Sequence, residues 1–408
     1  MINKISPCVV GLGYVGLPVF NRLQKKFRTV GFDTNKLRIS SLKKKIDSNK
    51  EFTSLDLKLN NKSIFSNNFK DIMMCNFYIV TVPTPLKNNN IPDLSSLISA
   101  SNIIARSLKK NDIIIFESTV YPGTTKLLIN DIFHKKTNLI EGKDFFVGYS
   151  PERINPGDKS HLIKNTPKIL AFNVKSKLIK SKILKVYNSI TSKLHLTNSI
   201  QDAETAKVIE NIQRDLNIAF MNDIYLFSNK MKFNFKNIVR LASTKWNFLN
   251  FKPGLVGGHC LPVDPYYLYY IAKKNNISLK TVLAGRQVNS QMKKFIYKVA
   301  LKKITDVKKI QKNSKILIVG VTYKGNVADV RNSIALDIFT DLKKNNKNID
   351  AYDYICSNDV RKKYGILKKF NKKKYELIIF LVNHKKNINI YDYAIKNNIK
   401  VLDPLNFY

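Results

Sequence analysis

The sequence predicts an α/β protein built from two doubly wound parallel sheets that a long central helix joins. Short apolar strands alternate with amphipathic helices in the first half of the chain, and the same alternation returns after "QKNS" (311–314). Between the two lies "IQDAETAKVIENIQRDLNIAFMNDIYLFSNKM", which keeps helical periodicity over about thirty residues. In sheets of this kind the ligand-binding residues lie at the carboxyl ends of the strands.

The first half opens with "SPCVVGLGYVGLPVFNRLQKKF", which predicts a buried strand, a glycine turn and a helix. "RTVGFDTN" follows as a second strand that ends at Asp33. "FYIVTVPTP" (77–85) and "DIIIFESTVYPGTT" (112–125) are further strands, and "DLSSLISASNIIARSL" between them is a helix. This order predicts a Rossmann-like domain over residues 1–195.

The turn after the first strand carries a G-x-G-x-x-G motif, formed by Gly11, Gly13 and Gly16. Residues without side chains allow the tight turn, the approach of a pyrophosphate and close packing of strand on helix. Asp33 lies 20 residues beyond Gly13, where a carboxylate bonds the ribose hydroxyls and disfavours a 2′-phosphate. The pattern predicts NAD as the cofactor, although Arg38 offers a positive charge that suits NADP. A turn in a fold without a cofactor is the alternative.

Thr84 and Thr119 each follow an apolar strand, so they lie either at the rim of a cofactor cleft or simply cap the strand ends. The residues predicted to bind the cofactor are Gly11, Gly13, Tyr14, Val15, Gly16, Asp33, Arg38, Thr84 and Thr119.

Composition excludes several classes of protein. The formal charge of +41 comes from lysines spread over the whole chain, without the aromatic-interleaved basic motif of a nucleic-acid module. The sequence has no run of about 18 apolar residues, so no membrane span is expected. The 4 cysteines form no CxxC pair, which favours reduced thiols in a cytoplasm and no metal site.

The long helix, expected to open with Asp202 as its N-cap, carries Lys207, Asn211 and Arg214 at i, i+4 and i+7. One helix face therefore presents an ammonium, an amide and a guanidinium. This line suits an oxyanion and a phosphate, and a solvated polar stripe is the alternative.

"GLVGGHCLPVD" (254–264) places Cys260 on a glycine-lined turn, whereas most cysteines are buried as small apolar residues. Gly257 and Gly258 allow close approach of a backbone, and His259 can lower the pKa of the thiol. Asp264 precedes Pro265, so it either caps a helix or holds a water near the thiol. The sequence favours neither interpretation of Asp264 over the other.

The last segment, 306–408, opens with "KILIVGVTY" (315–323) and continues through "IDAYDYI" and "YELIIFLV" as a smaller Rossmann-like domain. Lys324 and Arg331 follow its first strand. Fixed positive charges at a strand end suit a diphosphate, and generic surface basicity is the alternative in so lysine-rich a chain.

Seven motifs in order resemble the UDP-glucose/GDP-mannose dehydrogenase family: "GLGYVGLP", "VPTP", "ESTVYPGTT", "SPERINPGD", "AETAKVIEN", "STKWNF…KPGLVGGHCLPVDPYYL" and "GVTYKGNVADVRNS". Within it, "SPERINPGDKSH" and "STKWNFLNFKPGLVGGHC" are most similar to bacterial UDP-N-acetylglucosamine 6-dehydrogenases of surface-polysaccharide biosynthesis. The resemblance implies that residues 196–305 form a central helical domain with the cysteine loop and a dimer interface. "CLPVDP" departs from the more usual "CIGVDP", so Pro262 replaces a glycine.

The resemblance implies a cytoplasmic homodimer or higher oligomer that oxidises the C6 alcohol of a UDP-sugar to a carboxylate with two NAD. Cys260 would be the nucleophile, passing through a thiohemiacetal and a thioester. Lys207 and Asn211 would stabilise oxyanions, and Glu152, Thr119 and Asp264 would position water. The residues expected to bind the substrate are Arg153, Ile154, Lys207, Asn211, Arg214, Gly257, Tyr323, Lys324 and Arg331.

Because Arg153 follows Glu152, we expect a UDP-N-acetylhexosamine, with UDP-N-acetylglucosamine first. By resemblance, this pair together with Arg214 is typical of the acetamido-sugar branch, and an arginine donates hydrogen bonds to an amide carbonyl. UDP-N-acetylmannosamine, UDP-N-acetylgalactosamine and UDP-glucose are the alternatives. More distant hypotheses are a two-electron hydroxy-acid dehydrogenase, which needs no Cys260, and a basic nucleic-acid-binding protein.

Overall fold

The computed structural model describes residues 4–49, 51–154, 163–372 and 375–408. The chain forms two compact units, Met1–Glu210 with Tyr266–Ile277, and Asn211–Pro265 with Ser278–Tyr408. The segment 196–305 is therefore divided between both units.

The first unit contains an eight-stranded sheet within the described residues, and its strands follow the order β10-β9-β8-β7-β4-β1-β2-β3. Neighbouring strands pair in parallel except β8 and β9. The strands are β1 Pro7–Val10, β2 Val30–Phe32, β3 Ile64–Ser66, β4 Phe77–Val80, β5 Leu86–Lys87, β6 Ile91–Pro92, β7 Ile113–Phe116, β8 Phe146–Tyr149, β9 Lys168–Phe172 and β10 Leu194–Thr197, with β5 and β6 forming a separate hairpin.

Helices cover both faces of this sheet, so β1, β4, β7 and β8 are buried along their whole length. Burial on both faces explains why these strands are continuous apolar runs in the sequence. The helices up to the middle of the chain are α1 Gly16–Leu23, α2 Lys36–Lys43, α3 Phe69–Met73, α4 Ser95–Ala105, α5 Thr124–Leu128, α6 Lys177–Ile190 and α7 Ile200–Met231.

The predicted strand–glycine turn–helix unit is confirmed, with β1 and α1 on either side of the motif. The expected N-cap of the long helix is wrong. Helix α7 begins at Ile200, and the Ser199 hydroxyl accepts the backbone N–H of Asp202 at 3.1 Å. Ser199 is therefore the capping residue, because a serine directly before a helix reaches the third amide of its first turn.

The second unit contains a parallel sheet in the order β13-β12-β11-β14-β15. Its strands are β11 Ile316–Val319, β12 Ile349–Tyr352, β13 Ile366–Leu367, β14 Leu377–Phe380 and β15 Lys400–Leu402. The remaining helices are α8 Phe235–Ala242, α9 Asp264–Lys274, α10 Lys280–Ile310, α11 Ile334–Lys344, α12 Asn358–Tyr364 and α13 Ile388–Lys396. The predicted fold class, two Rossmann-like domains and a long helix, is confirmed.

Within the described residues, no helix combines the length and the apolar character that crossing a bilayer would require.

Candidate functional site

The glycine motif after β1 divides its tasks between its three residues. Gly11 has φ +95°, a conformation that favours glycine. A Cβ on Gly16 would lie 1.8 Å from the Gly11 carbonyl oxygen, so only glycine lets α1 pack against the turn. A Cβ on Gly13 would meet no described atom within 4 Å. The backbone at Gly13 is therefore open to a ligand, which fits the pyrophosphate of a dinucleotide.

Asp33 and Arg38 both hold the backbone of Leu12 inside this turn. Asp33 Oδ2 accepts the Leu12 N–H at 2.9 Å, and Arg38 Nε donates to the Leu12 carbonyl at 2.9 Å. The buried guanidinium of Arg38 also donates from Nη1 to Asp47 at 2.7 Å and to Ser48 at 2.8 Å. Asp33 stays half-buried at the end of β2. The charge of Arg38 is thus paired inside the domain, and the position of the Asp33 carboxylate fits contact with a ribose.

The two threonines expected at the cleft rim contact each other. Thr84 Oγ1 donates to the Thr119 carbonyl at 2.6 Å, and Tyr267 Oη donates to the Thr84 carbonyl. The Thr84 hydroxyl therefore joins the ends of β4 and β7, which is the capping role. The Thr119 side chain is half-buried.

A buried charge network that the sequence analysis missed lies under the segment after β8. Lys168 Nζ donates to Glu117 Oε2 at 3.0 Å and to the Pro151 carbonyl at 3.4 Å, while Tyr187 Oη donates to Glu117 Oε1 at 2.8 Å. Burial raises the pKa of Glu117, the Lys168 ammonium opposes that rise, and the charge of Glu152 adds to it. The signal in the sequence was one charged residue at an end of each of two apolar strands, Glu117 directly after β7 and Lys168 at the start of β9.

Glu152 lies on this segment and is 8% exposed. Its Oε1 accepts the Ile154 N–H, and its Oε2 is buried with no hydrogen-bond partner among the described residues. An orphan carboxylate oxygen calls for a bound water or ligand. The remainder of "SPERINPGD" and the following residues, 155–162, lie outside the described part of the chain.

The Arg153 guanidinium is held by its own unit. It forms an ion pair with Glu210, and its Nη1 donates to the Pro167 carbonyl at 3.0 Å. The side chain of Arg153 is 24% exposed, so part of its donor surface remains accessible.

The predicted line of Lys207, Asn211 and Arg214 is present on α7, and the three side chains become progressively less buried along it. Lys207 is 7% exposed, Asn211 is half-buried and Arg214 is exposed. Asn211 Nδ2 donates to Asp264 Oδ2 at 2.5 Å. The structure therefore brings together two residues that are 53 positions apart and that the sequence analysis assigned to one site.

Cys260 differs from the other cysteines, because Cys8, Cys75 and Cys356 are buried and Cys260 is exposed. Its carbonyl accepts the N–H groups of Val263 at 3.0 Å and Asp264 at 2.8 Å, which closes a turn into α9. The expected position of this thiol outside the core is thus confirmed.

The glycines before Cys260 are needed inside the second unit itself. A Cβ on Gly257 would lie 2.5 Å from the Asn332 carbonyl oxygen, and one on Gly258 would lie 2.7 Å from the Tyr323 ring. Asn332 Nδ2 also donates to the Gly258 carbonyl at 3.1 Å. The glycines therefore seat the cysteine turn on the loop after β11, in addition to any approach of a substrate.

His259 hydrogen-bonds to Asp329 Oδ2 at 2.9 Å, and Arg331 Nη2 donates to the same oxygen at 2.7 Å. Burial by itself would raise the pKa of Asp329, but the hydrogen bonds from His259 and Arg331 outweigh it and hold that pKa well below its usual range. The His259 ring is thus anchored to the aspartate, and the structure ties Arg331 to the loop that carries Cys260.

A second buried network fixes the start of the cysteine loop. Asn222 Nδ2 donates to the Gly254 carbonyl at 3.1 Å, and Gly254 N–H donates to Asn222 Oδ1 at 2.8 Å. Asn222 is held by Asn289 at 2.8 Å, and Asn289 and Arg286 both donate to Asp215. These four side chains are polar residues on two amphipathic helices, and nothing in the sequence indicates that they pair.

Within the described residues, no group of three or more histidine, cysteine, aspartate or glutamate side chains is arranged to hold a metal ion.

Models of the UDP-glucose/GDP-mannose dehydrogenase family match in three segments: the NAD-binding domain over 4–191, the central domain over 201–291 and the UDP-binding domain over 317–406.

Among curated relatives, the UDP-N-acetyl-D-glucosamine 6-dehydrogenase of Salmonella typhi is 40% identical over 94% of this chain and 91% of its own length. The enzyme of the same name from Pseudomonas aeruginosa is 41% identical over 90% of this chain and 86% of its length. A UDP-N-acetyl-D-mannosamine dehydrogenase of Methanococcus aeolicus is 33% identical over 94% of this chain and 85% of its length.

Among solved structures, the UDP-D-ManNAc dehydrogenase of Pyrococcus horikoshii superimposes with a TM-score of 0.83 at 26% identity, covering 99% of this chain and 96% of that one. The UDP-N-acetyl-mannosamine dehydrogenase Cap5O of Staphylococcus aureus gives a TM-score of 0.82 at 25% identity, covering 98% of this chain and 95% of that one.

Proposed function

Because the chain belongs to the UDP-glucose/GDP-mannose dehydrogenase family and is an NAD-dependent nucleotide-sugar oxidoreductase, we propose that its substrate is UDP-N-acetylglucosamine. The product is the corresponding uronate, formed by a four-electron oxidation at C6. The observation that carries the proposal is Cys260, an exposed thiol on a closed turn in a chain whose other cysteines are buried.

NAD fits the first unit through Gly11, Gly13, Gly16 and Asp33, and when bound it accepts a hydride from C6 in each of the two oxidations. The backbone at Gly13 is open, and the Asp33 carboxylate is half-buried at the strand end. Because Arg38 is paired with Asp47, Asp33 decides the preference for NAD over NADP.

Cys260 performs covalent catalysis on the intermediate aldehyde. Its Sγ forms a bond to C6, and the carbonyl oxygen takes up a proton to give a thiohemiacetal. Once C6 has lost its second hydride and the thiohemiacetal hydroxyl its proton, the group is a thioester. Water then adds at C6, the C–S bond breaks, and the thiol and the carboxylate are released.

Five residues serve the charges, protons and water of these steps. Lys207 and Asn211 stabilise the oxyanions at C6, and Lys207 also acts as acid and base for the C6 hydroxyl. Asp264, whose Oδ2 accepts from Asn211, and Glu152, whose Oε2 is an orphan, hold the water that cleaves the thioester. Thr119 completes the water site.

We expect fixed positive charge and backbone groups to bind the nucleotide sugar. Lys324 and Arg331 bind the diphosphate, and Tyr323 and Gly257 line the sugar next to the cysteine turn. Arg153, Ile154 and Arg214 bind the sugar ring and its acetamido group.

The choice of sugar rests on the relatives. Two enzymes that are 40% and 41% identical carry the name UDP-N-acetyl-D-glucosamine 6-dehydrogenase, while the mannosamine enzyme is 33% identical. UDP-N-acetylmannosamine is therefore the second candidate.

Counting NADH tests the chemistry. The purified protein is expected to form about two NADH per sugar consumed, since covalent catalysis splits the oxidation into two hydride losses. Cys260→Ala should abolish turnover, and Cys260→Ser should slow it strongly because serine lacks a ready thiolate. Cys356→Ala, a change at a buried cysteine, should keep the ratio. One NADH per sugar, or a Cys260→Ala variant with the full ratio, refutes the mechanism.

Rates with a panel of sugars test the substrate. UDP-N-acetylglucosamine, UDP-N-acetylmannosamine, UDP-N-acetylgalactosamine, UDP-glucose and GDP-mannose are offered at equal concentration. We expect the highest kcat/KM for UDP-N-acetylglucosamine, with a preference of five- to hundred-fold over UDP-glucose, on the order of 1–3 kcal/mol for an unmet buried hydrogen bond. A higher value for another sugar refutes this assignment and leaves the four-electron chemistry standing.

A homodimer is part of the proposal. Helix α8 buries none of its side chains, and Trp246, Phe220 and Phe227 are 92%, 59% and 53% exposed. Exposed large apolar side chains in one segment favour an interface. Light scattering after size exclusion is expected to give a dimer mass. The cytoplasmic location and the role in surface-polysaccharide synthesis stay predictions.

A further inference from the structure

Two carboxylates occupy equivalent places in the two Rossmann-like domains. Asp33 directly follows β2 and Asp353 directly follows β12, the strands that pair in parallel with β1 and β11. Asp33 Oδ2 accepts the N–H of Leu12 at 2.9 Å, and Asp353 Oδ2 accepts the N–H of Val321 at 2.8 Å. Each donating amide lies two residues beyond the end of the first strand of its domain, so the same bond locks both turns.

The fates of these carboxylates differ. Asp33 is half-buried, whereas Asp353 and His384 are both 0% exposed. His384 Nε2 lies 3.0 Å from Asp353 Oδ2, so the carboxylate that corresponds to Asp33 already has a buried partner from its own domain. The second carboxylate is thus occupied from within the protein.

Hydrogen bonding defines the state of the His384 ring. The Asn326 N–H donates to Nδ1 at 2.9 Å, so Nδ1 carries no proton. The ring proton is then on Nε2 and is donated to Asp353, which makes His384 a neutral imidazole.

The ring therefore connects both ends of the loop 321–326. At one end, Asp353 holds the N–H groups of Val321 and Thr322, the latter at 3.2 Å. At the other, His384 holds Asn326. Between them, Thr322 Oγ1 donates to the Lys324 carbonyl at 3.0 Å. Tyr323 and Lys324, which the proposed function assigns to the nucleotide sugar, project from this braced loop.

We propose that His384 is a positioning residue that closes the carboxylate of the second domain against a dinucleotide ribose and sets the loop 321–326 for the UDP-sugar. The proposal rests on the proposed function for the identity of the ligand. Removing the ring leaves the Asp353 carboxylate and the Asn326 amide without these partners, and the loop loses its brace. Affinity for UDP then falls, while the NAD site in the first unit is unchanged.

The experiment measures two affinities in the same full-length variants by titration calorimetry, with UDP and NAD as separate probes. For His384→Leu, which keeps bulk but no hydrogen bonds, we expect the Kd of UDP to rise tenfold or more and the Kd of NAD to stay within twofold. His384→Gln, whose amide both donates and accepts, should recover at least half of the loss on a logarithmic scale. An unchanged Kd of UDP, or equal losses for both probes, overturns the proposal.

A measurement on the unaltered protein keeps the test independent of folding. Nitrogen NMR of histidine-labelled protein at pH 7.5 should show one ring protonated at Nε2 only, and that signal should be absent from His384→Gln. A ring protonated at Nδ1, or a charged imidazolium, overturns the proposal. If the wild type binds UDP but oxidises none of the sugars, the proposed function fails and the role of His384 stands.

Discussion

Lys168→Met is expected to destabilise the first unit in a way that depends on pH. The Lys168 side chain is 3% exposed and its partner Glu117 is 0% exposed, with 3.0 Å between Nζ and Oε2. Methionine matches the length of the lysine stem and removes the charge. Glu117 is then a buried carboxylate whose remaining partner is Tyr187, with the negative charge of Glu152 nearby.

The magnitude follows from the uncompensated charge. Breaking a buried pair from one side costs about 3–5 kcal/mol when the remaining group stays ionised. The pKa of Glu117, already raised by burial, rises further without Lys168. Protonation of Glu117 limits this loss of stability, and the extent of protonation depends on pH. A carboxyl whose folded pKa is raised loses stability as pH rises above its unfolded pKa. The deficit of the variant should therefore grow by up to about 1.4 kcal/mol per pH unit until Glu117 ionises.

Hydrogen-exchange mass spectrometry of peptides from β7 and β9, with and without urea, measures the unfolding free energy of the first unit between pH 5.5 and 8. The double variant Lys168→Met/Glu117→Gln should recover most of the loss and its pH slope, because no charge is left behind. Lys180→Met, at an exposed lysine on α6, should change stability by under about 0.5 kcal/mol. A loss below about 1 kcal/mol with no pH slope, or a double variant as unstable as the single one, would refute the reasoning.

Three further predictions concern the glycine turn after β1 and the turn that carries Cys260. Gly16→Ala places a Cβ 1.8 Å from the Gly11 oxygen and should cost at least about 1–3 kcal/mol of stability, whereas Gly13→Ala should keep the melting temperature and weaken NAD binding; equal melting temperatures would contradict this. Asp33→Ser should lower kcat/KM for NAD about tenfold, by 1.4 kcal/mol, without making NADP the better cofactor, since Arg38 stays paired with Asp47; a reversal in a kinetic comparison would show that Arg38 is available. Gly258→Ala should change the rate at which a labelled iodoacetamide alkylates Cys260 by at least twofold in either direction, because the turn must move off the Tyr323 ring. An unchanged rate would mean that the Tyr323 ring moves without displacing the turn.

The sequence by itself determined the class of fold, the cofactor domain and the exposed cysteine. These depend on short-range patterns: buried strands as continuous apolar runs, three glycines at fixed spacing, and a cysteine among residues that permit an open turn. Family resemblance extended these patterns to the chemistry, because all seven motifs are local strings.

Only the tertiary structure decided which charged side chains are paired inside the protein. Arg38 pairs with buried Asp47 and Arg286 with buried Asp215, and no local pattern distinguishes a paired charge from an available one. The pairs Glu117–Lys168 and Asp353–His384 lie 51 and 31 positions apart. The order and direction of the strands in each sheet bring such residues together, and the sequence specifies both only through the whole packed core.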